Sequence, residues 1–318
     1  MEKQTPSLPN RILIRGVGYD YLYSRGLIAN HIKVRGIDYD TAYQIAKEVE
    51  EILLKKGMRS IDESDLFEMV RTKARDYLDP QQSRIFDIIE RWSISGDPLI
   101  ILLCGAPGSY TTEIGQILAE QFSISQIIST NTVRAILQRV IAPEIAPELH
   151  SESHTAYEHL RPVQTHHTDM VILGFEEHTK FVTETIESMI NRALSENLSV
   201  LFRGVHLDPR FISRNILDKP NVFFFTIRVP NPKLQLNRLL EISGRGKEDE
   251  VTLDFPDIRK IHDYLVQETQ RLKLPIANFN GDVRDCVNTI LQEIIDGLDI
   301  LYKSYEDKKK HGKDEHQS

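Results

Sequence analysis

The sequence predicts an α/β fold, a parallel sheet covered by helices on both faces and preceded by a smaller, mainly helical unit. Three observations predict it. From residue 99 to about residue 302, short apolar runs alternate with amphipathic helical stretches, and parallel strands joined by crossover helices need cover on both faces. The apolar run 99–104 ends at Gly105 and Gly108, and a helical pattern starts directly after them. Before residue 79 the pattern is helical almost throughout.

The elements follow in order. Residues 11–17 are short and β-branched, bounded by Gly16 and Gly18, and read as a strand. From Leu27 the pattern is helical. Ala42, Ile45, Ala46, Val49, Ile52 and Leu53 recur on one face. Gly57 ends that helix, because a residue without Cβ accepts the left-handed cap. Asp62 or Ser64 caps the next, which carries Leu66, Met69 and Val70 on one side. Pro80 marks a break at 79–82, and a helix around 83–92 leads to a linker, Gly96-Asp97-Pro98. Strands are expected at 99–104, 126–129, 199–203, 222–229 and 275–278. Helices are expected at 112–122 and 180–195, the latter with Val182, Ile186, Met189, Ile190 and Ala193 in phase. The tail 303–318 is polar and charge-mixed, and reads as disordered.

Composition narrows the function. With 40% hydrophobic and 27% charged residues over 318 positions, the chain is an ordinary globular sequence with room for two domains. A net charge of −8 argues against nonspecific nucleic-acid or anionic-membrane binding, which need a basic face. The two cysteines, Cys104 and Cys286, make no disulfide framework and point to a reducing, cytoplasmic setting, with Cys104 as packing rather than a nucleophile. No segment approaches the ~20 apolar residues that span a bilayer, and the start, Met-Glu-Lys-Gln-Thr-Pro, lacks a signal-peptide core.

The turn after 99–104 reads as a phosphate-binding loop without its cation. The pattern Gly-x-x-x-x-Gly-Lys-[Ser/Thr] begun at Gly105 places its second glycine at Tyr110 and its lysine at Thr111, and only Thr112 fits. Backbone N–H groups of such a loop hold phosphates, while the lysine neutralises the transferred group. Gly105, Gly108 and Ser109 retain the cradle; Tyr110 is bulky where close approach is wanted, and Thr111 offers a hydrogen bond without charge. A plain strand–turn–helix is the alternative.

Further pieces accompany the loop: Ile-Ile-Ser-Thr-Asn-Thr-Val-Arg at 127–134, Pro-Glu-Leu-His-Ser at 147–151, Gly174-Phe175, Gly-Val-His-Leu-Asp-Pro at 204–209, and Ile-Arg-Lys-Ile-His-Asp-Tyr-Leu-Val at 258–266. In this order they resemble the archaeal 2-phosphoglycerate kinases and their P-loop relatives over most of the chain. The resemblance implies a P-loop kinase-like parallel sheet at 99–302, an ATP-cone-type module at 11–78, a linker helix at 79–98, an N-terminal arm at 1–10 and the tail at 303–318. It also implies ATP and Mg²⁺, and phosphorylation of 2-phosphoglycerate to 2,3-bisphosphoglycerate, so that the partners are a nucleotide and a small phosphorylated metabolite.

The departures from the family fall where the chemistry belongs. Tyr110 and Thr111 replace glycine and lysine, Asn131 replaces the family's aspartate, and Arg203 replaces its acidic residue before Gly-Val-His. Two readings follow: a kinase-like binding protein with impaired phosphoryl transfer, or a working kinase that draws its missing charge from Arg203, Arg238 or Arg245. Thr111, Asn131 and Arg203 are the catalytic positions. Gly105, Gly108, Ser109, Tyr110, Thr111, Thr112, Arg238 and Arg245 are expected at the nucleotide, with Thr112 also facing Mg²⁺. Arg134, His150, Ser151, Ser153, His206 and Arg259 are expected at the substrate, since arginine suits bidentate recognition of phosphate and carboxylate.

Several of these residues have a second role open. Asn131 suits ligand contact or capping of a helix near Thr132. Arg203 suits phosphate contact that lessens the need for metal, or a surface ion pair. His206 suits substrate contact or a structural hydrogen bond. Arg238 and Arg245 lie in a stretch, 231–254, that suits a lid. His150 and His154 have a metal-pair spacing, but neither they nor His159, His166 and His167 come with an evident third ligand. Arg15, Arg25 and Lys33 suit the phosphates of a regulatory nucleotide or a plain basic surface.

Overall fold

The computed structural model describes residues 11–16, 18–33, 37–160 and 169–314. The arm 1–10, Val17, His166, His167 and the last four residues of the tail lie outside the described residues. The chain forms two compact units, Met1–Ile94 and Ser95–Ser318.

In the first unit, β1 (Leu13–Arg15) pairs antiparallel with β2 (Asp20–Leu22), and α1 (Arg25–Lys33) and α2 (Tyr39–Lys55) follow. β3 (Ser60–Asp62) then pairs parallel with β1, before α3 (Glu63–Ala74) and α4 (Pro80–Ser95). Ala42, Ile45, Ala46, Val49 and Leu53 of α2 are buried in one cluster with Ile14, Leu66 and Val70. Asp38 caps α2 by accepting from the Thr41 amide at 3.0 Å, and Gly57, at φ 67, takes the left-handed turn that ends it. β2 and β3 escape the sequence pattern because three residues carry too little alternation to register.

The second unit holds five parallel strands in the order β5 (Gln126–Ser129), β6 (Val200–Gly204), β4 (Ile100–Cys104), β7 (Val222–Arg228), β8 (Ile276–Asn278). β4 is buried along its whole length, as a central strand covered on both faces must be. α5 (Thr111–Gln121) and α11 (Val283–Asp314) lie on one face: Gly115 meets Leu201 and Leu103, and Gly297 meets Phe223. α6 (Thr130–Val140), α7 (Met170–Ser195) and α10 (Glu248–Arg271) lie on the other, where Phe175, Val182, Ile186, Ile261 and Leu265 enclose Ile100, Leu102, Phe202 and Phe224. α8 (Arg214–Leu217) and α9 (Pro232–Ser243) complete the unit. The chain leaves β4 toward β5 and β6 on one side, then crosses to β7 on the other. That reversal opens a crevice beyond the carboxyl end of β4, where ligands bind in such sheets.

Two expectations change. The helix predicted at 180–195 begins ten residues earlier, because His178, Thr179 and Thr183 are polar yet fully buried and interrupt the apolar stripe. The tail is not structureless from residue 303: α11 continues to Asp314, since extending an existing helix is far easier than nucleating one, and Lys303 pairs with Asp299 one turn back at 3.0 Å. Among the described residues no helix is long and apolar enough to cross a membrane.

Candidate functional site

A cavity of about 180 Å³ lies at the crevice. The loop 105–110, the first turn of α5, Ser129, Asn131, Arg203, Gly204, Val205, Arg238 and Ile242 line it. Thr111, Thr112 and Glu113 open α5, so their amides have no intrahelical acceptor and the positive end of the helix faces the cavity. Ser109 is 2% exposed, and its Oγ has no hydrogen-bond partner.

The loop keeps the backbone of a phosphate cradle despite its side chains. Tyr110 sits at φ 58, ψ 17, the left-handed conformation that normally calls for glycine. Its ring has two neighbours: Phe279 stacks on it with centroids 4.0 Å apart, and the Arg238 guanidinium lies 5.3 Å from its centre. Gly108, at φ 81, is required for a second reason, since a Cβ there would stand 2.8 Å from the Gln235 carbonyl oxygen. α9 therefore rests directly on the loop. The fully buried Gln235 secures it by donating from Nε2 to the Pro107 carbonyl at 2.9 Å and accepting from Arg259 Nη1 at 3.1 Å.

Arg203 is the central finding. It pairs in register with Leu103 on one side and Ser129 on the other, near the carboxyl ends of three strands. Its stem passes beside Gly115, which leaves room for it, and Nη1 donates to Thr112 Oγ1 at 2.8 Å. Among the described residues no carboxylate pairs with it. Burial lowers its pKa, but a guanidinium remains charged at neutral pH. The other cation of the cavity is spent: Arg238 is held by Glu113 and by Glu241, the latter at 3.0 Å.

A divalent cation does not fit this donor set. The Thr112 hydroxyl, expected to face a metal, accepts from a guanidinium instead, so a metal bound there would meet a like charge within a few ångströms. Glu113, the one carboxylate lining the cavity among the described residues, is engaged by Arg238. No group of three or more His, Cys, Asp or Glu side chains among the described residues is placed to hold a metal. A phosphate fits better, with the amides that open α5 and a guanidinium without a carboxylate partner among the described residues lining one space.

The structure places the remaining residues as follows. Asn131 lines the cavity but does not cap a helix, since α6 begins one residue before it with Ser129 at the cap position. Arg245 is exposed in the turn after α9 and does not line the cavity. The stretch 231–254 is α9, the turn after it and the start of α10, and α9 is seated on the loop.

The six substrate positions do not line this cavity; their side chains tie the chain to itself. Arg134 donates to the Ser151 carbonyl at 2.5 Å and to Glu152 at 2.9 Å. His150 donates from Nε2 to the Ile141 carbonyl at 2.8 Å, and Ser151 Oγ reaches the Pro147 carbonyl at 3.5 Å. Arg259 donates to the Val229 carbonyl at 2.8 Å and pairs with Asp263 at 2.8 Å. His154 pairs with Asp254 at 3.2 Å rather than with His150.

His206 is fully buried in a relay rather than facing a ligand. The Glu148 carbonyl can only accept, so His178 donates to it from Nδ1 at 2.8 Å, and His178 Nε2 must then accept from His206 Nε2–H at 2.8 Å. His206 Nδ1 in turn accepts from Thr130 Oγ1 at 2.8 Å, and Ser153 Oγ stands 3.5 Å from His206 Nε2. Burial lowers the pKa of both rings, that of His178 to about 4. Sequence reasoning missed His178, although its phase with Phe175 and Val182 on one helix face could have revealed it. It also missed the fully buried Asp208. That carboxylate accepts from Tyr264 at 2.8 Å and from the Arg210 amide at 2.9 Å, and burial raises its pKa.

The chain is 31% identical to a 2-phosphoglycerate kinase of Methanopyrus kandleri over 89% of this chain and 87% of that protein. It is 29% identical to a 2-phosphoglycerate kinase of Methanocaldococcus jannaschii over 96% of this chain and 99% of that one. No family model matches the chain. Among solved structures, a shikimate kinase from Acinetobacter baumannii in complex with shikimate aligns with 64% of this chain and 97% of its own, at 18% identity and a TM-score of 0.39, too distant to bear on function.

Proposed function

The chain belongs to the 2-phosphoglycerate kinase family, and on that premise we propose that it is a P-loop protein that binds the phosphate groups of a nucleotide, or of a small phosphorylated acid, with phosphoryl transfer impaired. The family supplies ATP as the nucleotide and 2-phosphoglycerate as the acid to test first. One observation carries the reading: the cavity keeps an anion cradle, but among the described residues neither of its cations stands at the lysine's place in the loop. Thr111 stands where the lysine belongs, Arg203 is turned onto Thr112, and Arg238 is clamped by two carboxylates. Phosphoryl transfer depends on charges preorganised around the moving group, so their loss lowers the rate more than the affinity. The unit 11–78 is proposed, on resemblance alone, as an ATP-cone-type regulatory module.

The test incubates purified protein with labelled ATP, Mg²⁺ and 2-phosphoglycerate, beside the variants Thr111→Lys/Tyr110→Gly and Thr111→Lys/Tyr110→Gly/Arg203→Glu. We expect binding of ATP or 2-phosphoglycerate without turnover by the wild type, and activity gained first in the triple variant. Brisk turnover by the unaltered protein would overturn the impaired reading.

A further inference from the structure

We propose that Arg203 serves as a resident cation in the place of a divalent metal, so that the loop binds a polyphosphate without magnesium. The inference rests on the anion-binding reading above and adds to it the identity of the counter-charge. The motif gives the hydroxyl at position 112 to Mg²⁺, and here the guanidinium holds that hydroxyl at 2.8 Å. Magnesium would normally be held near the carboxyl end of the neighbouring strand by an acidic side chain, and that place on β6 is Arg203 itself. The ion pairs leave Arg203 uncompensated, since Glu113 and Arg238 cancel within the lining and no carboxylate among the described residues reaches β6's arginine. Ser109, a loop residue that lines the same cavity, is buried with its Oγ unpartnered. Gly115 gives the guanidinium its passage between α5 and β6: a side chain there would meet Arg203 Cδ at 3.5 Å as well as Leu201 and Leu103.

Calorimetric titration of the full chain with inorganic pyrophosphate and, separately, with ADP tests this. Each is run in EDTA and in excess magnesium. The wild type is expected to bind at least one probe in EDTA, with magnesium leaving the affinity unchanged or weakening it by neutralising the probe. Arg203→Ala is expected to bind about ten- to hundredfold more weakly in EDTA, the loss expected for a charge-assisted contact. Arg203→Gln keeps a stem beside Gly115 and a donor for Thr112 while removing the charge, and it should lose as much; thermal melts check that both variants fold. Arg203→Glu should lose binding in EDTA and regain it with magnesium.

Wild-type binding that requires magnesium overturns this inference and leaves the anion-binding reading standing. So does undiminished binding by Arg203→Gln. Failure of pyrophosphate, ADP, ATP and 2-phosphoglycerate to bind under either condition overturns both. Pyrophosphate binding without any ADP preference identifies the ligand by its phosphates alone, and tighter ADP binding identifies a nucleotide; both support the resident cation.

Discussion

Protonation of the His178–His206 pair should unfasten α7 from the sheet as pH falls. In the fold His178 Nε2 must accept from His206, so a proton there would set two N–H groups against each other across 2.8 Å. The sign follows from the lowered pKa. Between 6.5 and about 4 the unfolded chain binds a proton that the folded chain refuses, so stability is full above about pH 6.5 and is lost as pH falls toward 4. At about 1.4 kcal/mol per pH unit, the fall from 6.5 to about 4 amounts to roughly 3–4 kcal/mol, and His206 adds to the loss in the same direction.

Hydrogen exchange of α7 amides, read by mass spectrometry and corrected for intrinsic rates, measures this in the right unit. The single tryptophan, Trp92, lies in the other unit, and its fluorescence would report the wrong one. His178→Asn retains a donor for the Glu148 carbonyl and cannot titrate. It should be less stable at neutral pH but fall less steeply than the wild type between pH 6.5 and about 4, since of the pair only His206 still titrates. Parallel loss of protection in wild type and variant would refute the reasoning, because the protons would then bind elsewhere.

Two substitutions probe the loop. Tyr110→Ala and Tyr110→Gly both lose the stack on Phe279, but only glycine relieves the left-handed backbone at φ 58, so the alanine variant should melt lower by the equivalent of about 1 kcal/mol; equal melting would remove the strain argument. Gly108→Ala should destabilise by about 1–3 kcal/mol, since its Cβ would stand 2.8 Å from the Gln235 carbonyl oxygen, and limited proteolysis should cut first in the turn after α9.

The sheet was legible because β4, β7 and β8 are apolar runs bounded by turn residues, and the loop because its glycines follow such a run. The contact between Thr112 and Arg203 was not, since 91 residues separate them and only the parallel register of β4 and β6 brings them together. Arg134, His150 and Ser151 were found by type, and in the fold they bond to backbone carbonyls. The donors that suit a phosphate suit a backbone carbonyl equally well, and nothing in a linear pattern tells which of the two a folded chain will offer. The buried length of α7 stayed hidden for the opposite reason: His178 and Thr183 look solvent-bound until the relay and the His206 carbonyl give them partners, and Thr179 is buried beside them.

Gln235 bears on how such a protein changes over time. One amide spans two remote segments, touching Pro107 with its nitrogen and Arg259 with its oxygen. A mutation at any corner of that triangle unsettles the other two, so drift in α10 is policed by the glycine turn and drift in the turn by α10. The shape of the loop can therefore persist under selection for folding alone, whether or not turnover is also selected.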